Sequence, residues 1–137
     1  MAKIVVIDDE ESIRTLLARI LAHANHQVRT AANGKAGFRL LKDESADLVI
    51  TDILMPEMDG LEVLMELRQL YPDLRFIAIS GGGDHRVLTH LITAKRLGAV
   101  RTLSKPFEID DLLHAVDETL SAPAIPPMHS KPVRRYA

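Results

Sequence analysis

Short runs rich in Val and Ile, with no polar alternation, constrain this chain more than any other feature. Residues 4–7, 48–51 and 76–79 are apolar at nearly every consecutive position. A strand with one wet face would alternate, so these runs read as strands buried on both faces. Residues 28–31 and 100–103 are weaker runs of the same kind. Between the runs the apolar residues change to a helical period. Ile13, Leu16, Leu17, Ile20 and Leu21 make one stripe, spaced to lie on a single helix face. Leu61, Leu64 and Leu67 form a second stripe behind a cap at Asp59, and Ile109, Leu112, Leu113, Val116 and Leu120 form a third. Residues 33–42 and 84–97 also read as helices. Strands and helices in strict alternation require a crossover for each parallel pair, which predicts an α/β fold with helices on both faces of a parallel sheet.

The amount of apolar material limits how often this pattern can be repeated. With 137 residues, 47% of them hydrophobic, the chain can fill one full core but not two comfortable domains, so one domain is expected. A formal charge of −2 and the lack of a dense Lys/Arg stripe argue against direct nucleic-acid binding and point to protein partners. The absence of cysteine excludes a disulfide framework and a thiolate zinc site. The first apolar run is too short for a signal peptide and meets Asp8-Asp9-Glu10 at once. No apolar run reaches membrane-spanning length, so a cytoplasmic protein without membrane insertion is expected. After Ser121 the composition changes, with prolines at 123, 126, 127 and 132. Residues 1–121 therefore read as the folded domain, and 122–137 as a Pro-rich flexible tail with no effector domain attached.

Ligands of open parallel sheets bind outside the carboxyl ends of the strands, so the residues at those ends carry the functional expectation. The first strand runs into Asp8 and Asp9, the third into Asp52 and the fourth into Ser80, and the fifth is followed by Lys105-Pro106. A single doubly wound (βα)5 domain with the flavodoxin-like strand order 2-1-3-4-5 would make the first, third and fourth strands neighbours. Three carboxylates, a hydroxyl and an amine would then meet at one edge. Crowded carboxylates repel unless a cation compensates them. Oxygen donors without Cys or His suit Mg²⁺, which keeps water and phosphate oxygens in its shell. A carboxylate can itself act as nucleophile toward phosphorus, and phosphoryl transfer demands mainly positioning and charge neutralisation.

The stretches "VIDDEES", "DLVITDILMPEMDG", "AISGGG" and "LSKPF", in this order, resemble the receiver domain of two-component response regulators, the CheY-like family, over residues 1 to 121. The resemblance implies that Asp52 accepts a phosphoryl group from a sensor histidine kinase or a histidine phosphotransfer protein. It implies Mg²⁺ held by Asp9 and Asp52, by the backbone carbonyl of Leu54 and by Asp8 through water, with Mn²⁺ as an alternative ion. Ser80 matches the family's switch hydroxyl and Lys105 its phosphate-pairing lysine. Pro106 matches a proline preceded by a cis peptide bond. The output surface is implied to lie on the helix at 84–97, the fifth strand and the last helix.

Three features temper the carry-over from the family, one of them the permissive glycine run 81–83 after Ser80. Thr102 stands where an aromatic switch residue is common, three residues before Lys105, and Leu54 cannot hydrogen-bond the water that hydrolyses an acyl phosphate. Slow self-dephosphorylation is therefore expected. The leading expectation is a single-domain response regulator, a monomer or weak dimer acting on a separate protein target, with no enzymatic activity beyond its own phosphorylation and slow dephosphorylation. A phosphorelay intermediate that passes the group to a histidine phosphotransfer protein is the alternative. An aspartate-based phosphohydrolase is disfavoured because neither Asp8 nor Asp52 is followed two residues later by a second aspartate. A phosphorylation-independent pseudo-receiver is disfavoured because every acidic-site residue is present. The six histidines lack metal-ligand spacing and read as surface residues, and Met55, Met58 and Met65 as packing.

Overall fold

A computed structural model of the chain describes residues 1–52, 60–81 and 101–121. The strands are β1 (Lys3–Ile7), β2 (Gln27–Ala31), β3 (Leu48–Asp52), β4 (Arg75–Gly81) and β5 (Arg101–Lys105). The described helices are α1 (Glu11–His23), α2 (Gly34–Asp43), α3 (Gly60–Leu70) and α4 (Ile109–Ser121). All the strand pairs are parallel, in the order β2-β1-β3-β4-β5. The expected helix at 84–97, the cap at Asp59 and the tail at 122–137 lie outside the described residues.

The unbroken apolar runs pack an apolar cluster on each face of the one sheet. Along β1, Val5 and Ile7 enter one cluster, with Val49, Phe76 and Ala78 from the sheet and Leu41, Val63, Leu64 and Leu67 from α2 and α3. Ile4 and Val6 enter the other, with Ile50, Ile77 and Ile79 from the sheet and Leu17, Leu21, Leu112 and Val116 from α1 and α4. Successive strand side chains point to opposite faces, so a strand covered on both sides must be apolar at both parities. No helix among the described residues is long and apolar enough to cross a membrane.

Local chemistry sets the helix ends. Asn33 is extended and its side chain accepts from the Ala36 amide at 2.9 Å, which caps α2. At the end of α1, Asn25 adopts a left-handed φ of 71°. The Asn25 amide there donates to the Ala22 carbonyl and the His26 amide to that of Leu21, the paired bonds of a Schellman turn. The guanidinium of Arg29 on β2 donates to the carbonyls of Leu40 and Glu44 at 2.6 and 2.9 Å. These bonds satisfy the last turn of α2 and tie it to the sheet edge.

Two expectations shift. The fourth and fifth strands are longer than their apolar runs, because Ser80 pairs with Ser104 and Gly81 with Lys105. Ser80 and Lys105 therefore belong to the ladder and do not follow it. The stripe of the last helix holds at Leu112, Leu113, Val116 and Leu120, all packed on the core, and is joined there by Ala115 and Thr119, while Ile109 is 54% exposed.

Candidate functional site

The carboxyl ends of β1, β3 and β5 converge on one ammonium group. Asp8 follows the last residue of β1, and its amide continues the pairing by donating to Ala31 at 3.1 Å. The Asp8 carboxylate is buried, and its Oδ1 accepts from the Glu10 amide at 2.9 Å, a short turn of the kind Asp side chains favour. Arg14 Nη1, in the first turns of α1, donates to the Asp8 carbonyl at 2.8 Å. Asp52 is the last residue of β3, pairs with Ile79 across the ladder and is 5% exposed. Its backbone is thus pinned in the middle of the sheet.

Lys105 closes the group from the end of β5. Its Nζ donates to Asp8 Oδ2 at 3.0 Å, Asp52 Oδ2 at 3.3 Å and Glu10 Oε1 at 3.4 Å. Burial pulls this ammonium down, but the Asp8 hydrogen bond and the Asp52 and Asp8 charges together prevail, so its pKa lies above the ordinary lysine value. The peptide bond from Lys105 to Pro106 is cis. Ser80 is fully buried on β4, one residue beyond the partner of Asp52. Thr102 pairs with Ala78 on β5, two rungs before the Ser80–Ser104 pair.

Asp8, Asp9 and Glu10 each offer a carboxylate oxygen within 4.8 Å of the others. With Asp52 held to the same lysine, this oxygen-only donor set fits a hard divalent cation such as Mg²⁺ and disfavours soft metals. The structure therefore brings Asp8, Asp52 and Lys105 into contact, sets Asp9 at the open side of the group and places Ser80 beside it. Leu54 lies outside the described residues. Sequence reasoning missed Glu10 and Arg14. Glu10 read only as the end of an acidic triplet before a helix, and Arg14, one turn along, carried no motif. A groove lined by Leu41, Asp47, Leu70, Tyr71 and Arg75 opens at the amino ends of β3 and β4. It lies at the opposite edge of the sheet from these carboxylates.

Comparison with known proteins gives the arrangement its family. Residues 4–117 match the family described as "Response regulator receiver domain". The chain is 37% identical over 121 residues to the DNA-binding transcriptional regulator NtrC of Azospirillum brasilense, a match covering 88% of this chain and 24% of that protein. It is 34% identical over 118 residues to sporulation initiation phosphotransferase F of Bacillus subtilis, covering 86% of this chain and 93% of that protein. The chain thus spans about a quarter of one relative and nearly the whole of the other. A crystal structure of a response regulator receiver domain protein from Clostridium thermocellum superposes with a TM-score of 0.80 at 34% identity, covering 88% of this chain and 94% of that one. On its family match, its strand order and these relatives, the chain belongs to the CheY-like receiver domains of two-component response regulators.

Proposed function

We propose that this receiver works through Asp52 as the phosphoacceptor. The observation that carries the proposal is the Lys105 ammonium shared between Asp8 and Asp52 at the carboxyl edge of the sheet. An Asp52 carboxylate oxygen attacks the phosphorus of a phosphohistidine, the phosphorus–nitrogen bond breaks, and the ring leaves as neutral imidazole, its other nitrogen being protonated. A carboxylate at the end of a central strand cannot retreat from an incoming phosphorus, which supplies the positioning this transfer needs. Lys105 donates to a phosphoryl oxygen and Ser80 to another, offsetting charge that builds outside the sheet edge. Asp9 and Asp52, the Leu54 carbonyl and, through water, Asp8 would hold Mg²⁺. Bound there, the ion supplies charge neutralisation for the phosphoryl oxygens. Movement of Ser80 and Lys105 toward the phosphoryl group biases the surface that partners read, with Thr102 in place of an aromatic reporter.

The partners in this reading are a sensor histidine kinase or histidine phosphotransfer protein upstream and a protein target downstream, in the cytoplasm. Residues 1–121 form the receiver, with 122–137 as a tail. A relay role, returning the group to a phosphotransfer protein, is supported by the similarity to phosphotransferase F over nearly its full length. Incubation with Mg²⁺ and acetyl phosphate, followed by intact mass measurement, should add one phosphoryl group to the protein and none to Asp52→Asn. An equal adduct on the variant would remove Asp52 from this role.

A further inference from the structure

Three carboxylates accept from the Lys105 ammonium, and they differ sharply in exposure. The side chains of Asp8 and Asp52 are 2% and 6% exposed, whereas that of Glu10 is 58% exposed. An ammonium has three donors and no acceptor, so Asp8, Asp52 and Glu10 occupy its full capacity. A phosphoryl oxygen arriving at Asp52 must displace one of them. Asp8 and Asp52 are held at the buried edge by the backbone that carries them, whereas the exposed Glu10 side chain can return to solvent at little cost.

The local backbone keeps Glu10 available for this contact. Its amide is tied to Asp8 Oδ1 at 2.9 Å, and the turn is fastened from the other side by Arg14 on the Asp8 carbonyl at 2.8 Å. Glu10 occupies the N-cap position of α1 but makes no side-chain capping bond. Its carboxylate is thus not spent on the helix and instead reaches across to β5.

We propose that Glu10 is a positioning residue that holds Lys105 in the unphosphorylated receiver and gives it up when Asp52 is phosphorylated, setting how readily the phosphoryl group is accepted. The proposal rests on Asp52 being the phosphoacceptor. In it, Glu10 competes with the phosphoryl oxygens for one ammonium and acts through Lys105 without touching phosphorus.

The test is a double-mutant cycle on the full chain, reading the rate of the phosphoryl adduct with acetyl phosphate at saturating Mg²⁺. Asp52 attacks phosphorus, the bond to the acetyl oxygen breaks and acetate leaves. Glu10→Gln should accelerate adduct formation about two- to fivefold, the scale of one exposed ion pair, and have no effect in a Lys105→Ala background. A second readout is the ¹³C shift of the Glu10 carboxyl carbon. It should move on phosphorylation toward the position it takes in unphosphorylated Lys105→Ala. Equal acceleration in both backgrounds would overturn the proposal in favour of a general field effect. A slower Glu10→Gln with a raised Mg²⁺ requirement would overturn it in favour of a metal ligand. A Glu10 signal unmoved by Lys105→Ala would overturn it outright. Failure of the parent protein to label at Asp52 would instead remove the phosphoacceptor reading itself.

Discussion

At the residue scale, position along a strand decides what each carboxylate can do. Asp52 is held by ladder pairing on a central strand and Asp8 by the turn to Glu10, so Lys105 meets two buried carboxylates fixed by the backbone. Both were legible in the sequence because each ends an apolar run. Glu10 was not, because an exposed acid before a helix normally serves the helix dipole, and only the fold aims it at β5. On the proposed phosphoacceptor reading, Leu54 sets the lifetime of the phosphorylated state. A side chain that cannot hydrogen-bond water leaves the attacking water unoriented, so hydrolysis of the acyl phosphate should be slow. Leu54→Asn should shorten the half-life of the phosphorylated protein, followed by mass, and a half-life unchanged from the parent would refute the assigned role.

At the element scale, the last helix shows what an apolar stripe leaves unsaid. Leu112 and Val116 of the apolar stripe are buried and Leu113 and Leu120 pack against the same core, but α4 also turns Ala115 and Thr119 inward and leaves Ile109 out. Thr119 is fully buried, and its hydroxyl has no hydrogen-bond partner among the described residues. Burial of an unpaired hydroxyl is unfavourable, and Val has nearly the same shape without it. Thr119→Val should therefore raise stability by about 1 kcal/mol, seen as a higher urea midpoint at an unchanged slope. Lower stability would mean that the hydroxyl is satisfied in solution. On α2 the close approach to the sheet occurs at Gly37, where a Cβ would stand 2.5 Å from Ile7 Cδ1. Ile7 immediately precedes Asp8, so this contact links helix packing to the strand that delivers the carboxylate.

At the scale of the whole molecule, β1 and α2 are also joined far from the acidic edge. Lys3 Nζ lies 2.8 Å from Glu44 Oε2, with Arg29 on the same carboxylate's other oxygen at 4.0 Å. The Lys3 hydrogen bond and charge, aided by Arg29, hold the Glu44 carboxyl below its ordinary value. A carboxyl depressed in the folded state stabilises above its unfolded pKa, and that contribution is lost as pH falls through the folded value. The pair is half exposed, so its contribution is small. Glu44→Gln should lower the urea midpoint slightly at neutral pH, and the difference should vanish well below the carboxylate range. A difference that persists in acid would show that Glu44 acts through packing. By itself the sequence determined that the chain alternates buried strands with amphipathic helices and ends three of its strands at charged groups, because both are patterns of neighbours a few residues apart. Only the tertiary structure decided which of those groups share an ammonium. Lys105 meets Asp8 across 97 residues of chain and Asp52 across 53. Contacts at such separations depend on strand order and register, which are set by packing both faces of the sheet at once.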